Sequence, residues 1–188
     1  PDDVKWAGLD ESQRTAVKRL YAWIRSCVPD GATSADLSTF KSEKFRDEIS
    51  DYFDKAFLLT YYLWTDYFLA VDQRAKNMML RTWDGLIWYI TYYDGDTQMG
   101  KRNDCFLVYD YTTDRDTYDA EAGKYAFEGR DSWLWNLVLA NLDADLKTQA
   151  QALRGVLTTS RVLDMLNVEQ AGNWCDRAYN KSGELKYI

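Results

Sequence analysis

Residues 54–96 read DKAFLLTYYLWTDYFLAVDQRAKNMMLRTWDGLIWYITYYDGD, and three patterns follow one another along them. Asp54 stands where a helix N-cap belongs, just before a long apolar and aromatic run. Phe57, Leu58, Tyr61, Tyr62, Trp64, Tyr67 and Phe68 predict a helix to about Ala70 that is buried on most sides. The pattern breaks at Val71, and residues 72–77 are polar. Residues 78–82 and 86–92 are then rich in β-branched and aromatic side chains, separated by the turn signal Trp83-Asp84-Gly85. A helix, a polar loop and a hairpin are therefore expected in that order.

The flanks are helical. Asp10, with Gln13 three residues on, resembles a capping box, and Val17, Leu20, Tyr21, Ile24, Cys27 and Val28 recur at helical spacing. Pro29-Asp30-Gly31 ends that helix, and residues 31–38 read as a loop. A second helix is expected from Ser38 through Phe40, Phe45, Ile49, Tyr52 and Phe53. Beyond the hairpin, residues 94–100 read as a loop, 105–111 as a further strand and 112–130 as irregular. Asp131 would cap a helix over 132–142. Asp143 or Asp145 would open another to about Leu153, a last one runs over 160–171, and Asn180 to Gly183 marks a turn. The expected fold class is α+β, mainly helical, with a small central β-hairpin region. Residues 1–188 are expected to form a single domain, with an N-terminal helical part over 1–53 and a helical core with the β insertion over 54–188. The abrupt start at Pro1 and stop at Ile188 suggest a segment of a longer chain.

Composition excludes several function classes. The chain has 188 residues, of which 46 % are hydrophobic, with 8 Trp, 14 Tyr and 7 Phe, so it can build a core. It has no His, which removes Ser-His-Asp and Cys-His nucleophile pairs, His general bases and most catalytic zinc sites. No P-loop or dinucleotide-binding glycine motif occurs. With 23 basic against 30 acidic residues and a net charge of −7, there is no nucleic-acid footprint. Cys27, Cys105 and Cys175 are far apart and odd in number, so buried free thiols are expected rather than a disulfide framework. No signal peptide is evident. The longest apolar stretch is interrupted by Thr60, Thr65 and Asp66, so no transmembrane segment is expected.

Any chemistry must then run on carboxylates, Lys, Tyr, Ser or a hard metal. Asp72 and Asn77 lie five apart in the polar loop, and Asp94 and Asp96 follow the second hairpin strand. Phosphoryl transfer needs a base at the nucleophile and hard oxygen ligands on a divalent cation, and it needs no His. Protein kinases place an Asp, an Asn five residues later, a hairpin and a metal-binding Asp in this order. The same residues also suit plain turn-tightening, which Asp and Asn do commonly. An EF-hand counted from Asp94 fails, with Gln98, Met99 and Cys105 at its fifth, sixth and twelfth positions. A carboxylate pair for glycoside hydrolysis has nothing besides nearby aromatics to mark a sugar cleft.

The run Thr65-Asp-Tyr-Phe-Leu-Ala-Val-Asp72-Gln-Arg-Ala-Lys-Asn77, then Trp83-Asp-Gly85, then Trp88 to Gly100 resembles the distal tail (knob or muzzle) proteins of short-tailed and crAss-like bacteriophages. Phe127-Glu-Gly-Arg-Asp131-Ser-Trp-Leu-Trp135-Asn and the closing Tyr179 to Ile188 are similar to them too. The resemblance spans Phe53 to Ile188. The middle portion is also similar to CotH-type spore-coat proteins, whose Asp-x-Asp-x-x-x-Gly loop corresponds to Asp94, Asp96 and Gly100. That resemblance implies a kinase-like C-terminal lobe. In active members it implies Mg²⁺ with ATP, Asp72 as catalytic base, and Asn77, Asp94 and Asp96 on the metal. Departures are visible: Ala70-Val71 precedes Asp72 in place of His-Arg, and no glycine-rich loop covers phosphates. The tail-protein likeness implies a structural component of a virion tail, made in the host cytoplasm. Its partners would be other tail subunits in a ring-forming homo-oligomer, its scaffold catalytically degenerate and in need of no cofactor. The alternatives are a CotH-like atypical protein kinase using Mg²⁺-ATP and a structural loop holding Mg²⁺ or Ca²⁺.

Overall fold

The computed structural model describes residues 8–68, 70, 73, 74, 77–93 and 132–164. The chain forms two compact units, Pro1–Gln149 and Ala150–Ile188. The first holds helices and a two-stranded antiparallel sheet, so the fold is mixed α and β and mainly helical.

Helix α1 (Glu11–Ser26) starts where its capping signal stands. The Asp10 carboxylate accepts from the Gln13 amide at 2.8 Å, and the Gln13 side chain accepts from the Asp10 amide at 3.0 Å. Ala16, Leu20 and Trp23 form its buried stripe. Residues 31–38, expected as a loop, contain a one-turn helix α2 (Ser34–Leu37). Thr33 and Asp36 cap it reciprocally: the Asp36 carboxylate accepts from the Thr33 amide at 2.8 Å, and the Asp36 amide reaches back to the Thr33 hydroxyl at 3.4 Å.

The helix expected from Ser38 to Phe53 is shorter and divided. Helix α3 spans Glu43–Glu48 and tightens into a 3₁₀ turn at Ile49–Asp51. The late start has a tertiary cause. Asn141 donates to the Phe40 carbonyl at 3.0 Å and accepts from the Ser42 amide at 2.7 Å, so this stretch is held out of helix. The Ser42 hydroxyl then caps α3 by accepting from the Phe45 amide. The early stop lets Tyr52 and Phe53 reach the sheet: the Trp88 amide donates to the Tyr52 carbonyl at 2.7 Å, and Phe53 forms a parallel bridge with Trp88.

Helix α4 (Lys55–Tyr67) begins as expected, with Asp54 accepting from the Phe57 amide at 3.0 Å. It stops three residues before Ala70, where the chain turns inward and buries Ala70 completely. Strands β1 (Met78–Thr82) and β2 (Trp88–Tyr92) pair with Leu80 opposite Ile90. The second strand starts at Trp88 rather than Leu86. The Asp84 carboxylate accepts from the amides of Leu86 and Ile87 at 2.8 and 3.0 Å, and so takes them from the ladder. Gly85 supplies the left-handed conformation there, at φ +73.

Helix α5 (Trp133–Asn141) is capped by Ser132, whose hydroxyl accepts from the Trp135 amide. Helix α6 (Asp143–Val156) runs three residues past Leu153. In the second unit a helix occupies 159–164, matching the start of the last expected one. The α5 cap is thus Ser132 and not the expected Asp131, since the Ser132 hydroxyl reaches the Trp135 amide; the strand over 105–111, the irregular stretch 112–130 and the turn at Asn180 lie outside the described residues. No helix among the described residues is long and apolar enough to cross a membrane.

The core is strongly aromatic. Trp23 stacks on Tyr52, with centroids 4.2 Å apart and planes 9° off parallel, and lies 5.5 Å from Phe45. The Arg19 guanidinium covers Tyr52 at 4.2 Å and donates to the Leu86 carbonyl, tying α1 to the hairpin. Cys27 is a buried free thiol, as expected. Burial pushes it up to about 11 from the usual 9.0. Its thiol form therefore supports the fold fully below pH 9, and that support is lost as pH rises towards 11. We expect stability in chemical denaturation to fall by up to roughly 2–3 kcal/mol across this window. Cys27→Ala should flatten the fall, and an unchanged pH profile in that variant would assign it to other groups.

Candidate functional site

Gln73 and Arg74, between α4 and β1, are held from two helices. Gln73 and Arg74 are buried, and Asn77 is buried at 7 % exposure one residue before β1. The Tyr61 hydroxyl, on α4, donates to the Gln73 carbonyl at 2.7 Å. The Trp135 indole N–H, on α5, donates to the next carbonyl, that of Arg74, at 2.7 Å. The two donor rings stack on each other, 6.2 Å apart and 8° from parallel. Burial raises the Tyr61 phenol well above its ordinary value, a nearby Tyr92 adds to this, and Arg74 opposes it. Tyr61 therefore stays protonated, which a hydroxyl donor must.

Arg74 turns its charge onto α4. Its guanidinium lies 4.7 Å over the Tyr62 ring, and Nη2 stands 3.6 Å from the Asp66 carboxylate. A buried cation is tolerated only with such compensation. Residues 62 and 66 share this task because helical spacing brings positions four apart onto one face.

Of the four candidate site residues, Asn77 is placed, at the end of this loop. Asp72, Asp94 and Asp96 lie outside the described residues. Met78 pairs with Tyr92, so the hairpin returns the chain to the end at which Asn77 enters it. Among the described residues, no three Cys, Asp or Glu side chains gather closely enough to hold a metal. The chemistry of the candidate set does suit a hard divalent ion, since three carboxylates and one carboxamide offer only oxygen ligands from their acceptor atoms. Sequence reasoning missed Tyr61, Trp135, Gln73 and Arg74. The available signal was that a buried Tyr or Trp must find a partner for its polar atom. Which partner it finds depends on tertiary contacts.

The hairpin carries a second feature. Trp83 at its tip is 81 % exposed, with the Arg81 guanidinium 5.6 Å over its ring. Met79, Leu86 and Tyr93 are also exposed, and Tyr89 meets Phe57 edge-on at 5.7 Å. Asp84 and Arg19 hold the backbone beneath through the bonds described above, so these side chains stand on a braced platform.

Comparison with known proteins brings out no matching family model, no similar curated protein and no matching solved structure.

Proposed function

We propose that this chain is a structural component of a bacteriophage tail, of the distal knob or muzzle kind, built on a kinase-like helical lobe retained as scaffold. The resemblance of residues 53–188 to those tail proteins supports the reading. The observation that carries it is the braced hairpin with its exposed Trp83, Met79, Leu86 and Tyr93. Exposed apolar side chains on a fixed hairpin, with Trp83 and Leu86 at its tip, suit a protein-binding surface. The partners are further tail subunits, and copies of this chain meeting head to tail would close a ring. It would be made in the host cytoplasm and end in the virion tail.

The test has two parts. Peptide mass spectrometry of purified virions should find the intact protein, and its consistent absence there overturns the reading. In the intact protein, Trp83→Asp should leave the melting curve nearly unchanged. It should weaken subunit association roughly 30-fold, the effect of losing an anchor worth about 2 kcal/mol.

A second reading is favoured by the burial of Gln73, Arg74 and Asn77, which is unusual for polar residues of a plain connection. In it the loop and the following segment hold a divalent cation. Asn77, Asp94 and Asp96 would be the ligands, and in a CotH-like atypical kinase using Mg²⁺-ATP, Asp72 would be the base. The cation would neutralise phosphate charge; the chain's own work would be to orient it and accept the hydroxyl proton. Transfer of labelled phosphate to Ser or Thr, abolished by Asp94→Asn, would establish the kinase form, and no transfer by the intact protein would end it. Cation binding without transfer would leave the structural loop.

A further inference from the structure

We propose that the outer edge of β1 pairs antiparallel with the same edge of a second copy of this chain, about a twofold axis at Leu80. The direction of the backbone groups carries this. The Trp88 amide donates to the Tyr52 carbonyl at 2.7 Å, and so points away from β1. In an antiparallel pair, alternate residues turn both their peptide groups to the same side. Trp88 and Ile90 therefore face away from β1, while Tyr89 and Thr91 bond to their opposites, Arg81 and Met79. On β1 the amides and carbonyls of Met78, Leu80 and Thr82 are left pointing outward. Among the described residues, none of these three makes a backbone hydrogen bond beyond the hairpin.

Proteins usually blunt such an edge with Pro, Lys, an inward charge or a bulge. Strand β1, Met78-Met-Leu-Arg-Thr82, has none of these, and its register with β2 is unbroken. Its one charge, Arg81, lies on the exposed face over the Trp83 ring. The strand also matches itself. An axis at Leu80 sets Leu80 against Leu80 and Met78 against Thr82, so every outward peptide group of the strand meets its complement. Leu80, half-buried against the core, gains an apolar neighbour. Arg81 falls opposite Met79. An axis at Arg81 would oppose the two guanidinium groups, and one at Met79 would leave Thr82 with no strand residue across from it. This contact is distinct from the Trp83 tip and does not depend on the tail assignment. It is compatible with a head-to-tail ring, since two rings joined through it have dihedral symmetry.

The experiment is sedimentation equilibrium of the full chain over a dilution series, with backbone hydrogen exchange measured at its two ends. The wild type should pass from monomer to dimer, and the Leu80 amide should exchange more slowly in the dimer. Met79→Lys puts a lysine opposite Arg81 twice in each dimer. Met79 is 46 % exposed, so the melting curve should hardly move. Two like-charge contacts across the strands should weaken dimerisation about 5- to 30-fold. Adding Arg81→Glu to Met79→Lys makes both contacts attractive and should restore it. A wild type that stays monomeric at every concentration overturns the proposal and leaves the edge to a different chain. A dimer whose Leu80 amide exchanges as fast as the monomer's overturns it too, because the contact then lies elsewhere. A dimer that Met79→Lys leaves intact, or that the double variant fails to restore, overturns the pairing about Leu80.

Discussion

Trp135→Ala is expected to be among the most damaging single substitutions in this chain, with a loss of about 4 kcal/mol or more. Trp135 is 1 % exposed and rests against both Tyr61 and Tyr62. Emptying a buried Trp site costs roughly 3–5 kcal/mol in lost burial and cavity. The Arg74 carbonyl would also be left buried without its donor, a penalty of about 1–3 kcal/mol if water cannot enter. The terms overlap, because a cavity of this size can admit water. Urea denaturation should show the midpoint falling by roughly 2 M, for a slope of about 2 kcal/mol per molar. A drop below about 0.5 M would mean that the loop is not anchored as described.

Asn141→Ala should rank close behind, at about 2–4 kcal/mol, although it removes little apolar surface. This carboxamide donates to the Phe40 and Leu137 carbonyls at 3.0 and 2.9 Å. It accepts from the Ser42 amide at 2.7 Å. Alanine satisfies neither the Phe40 carbonyl nor the Ser42 amide, and each such group left without a partner costs about 1–3 kcal/mol; the Leu137 carbonyl keeps its helix bond from the backbone amide of residue 141. Asn141→Asp is the sharper comparison. It keeps shape and acceptor but turns the donor into a second acceptor facing two carbonyls. It should be at least as harmful as alanine at neutral pH, and less harmful in acid, where a protonated carboxyl can donate again. Thermal melts at pH 7 and pH 4 of both variants would show this, and equal behaviour at the two pH values would argue against the donor's importance.

The sequence was legible wherever a structure is decided by near neighbours. Asp10 with Gln13, Asp54 before its apolar run, and the two strands around Asp84-Gly85 each lie within a few residues of what they control. Thr33 and Asp36 were equally local, and their three-residue spacing was a readable sign of α2. The misplaced boundaries have distant causes, or side-chain causes that periodicity does not register. Helix α3 starts late because Asn141, far along the chain, captures the backbone on either side of Lys41. Strand β2 starts late because one carboxylate takes two consecutive amides. At the candidate site, hard-oxygen chemistry could be read from residue types. The anchoring of the loop could not, since nothing local to Tyr61 says that its hydroxyl will meet Gln73.

The link between Ser42 and Asn141 also bears on how the protein is made. The two residues are 99 positions apart, so on the ribosome the N-terminal helices emerge long before the group that secures them. At about 5–20 residues per second, that wait lasts roughly 5–20 s. Throughout it Leu37 and Phe45, which end with no exposed surface at all, lack their final neighbours. The nascent chain must stay soluble with that face open, so chaperone demand should last until α5 has left the exit tunnel.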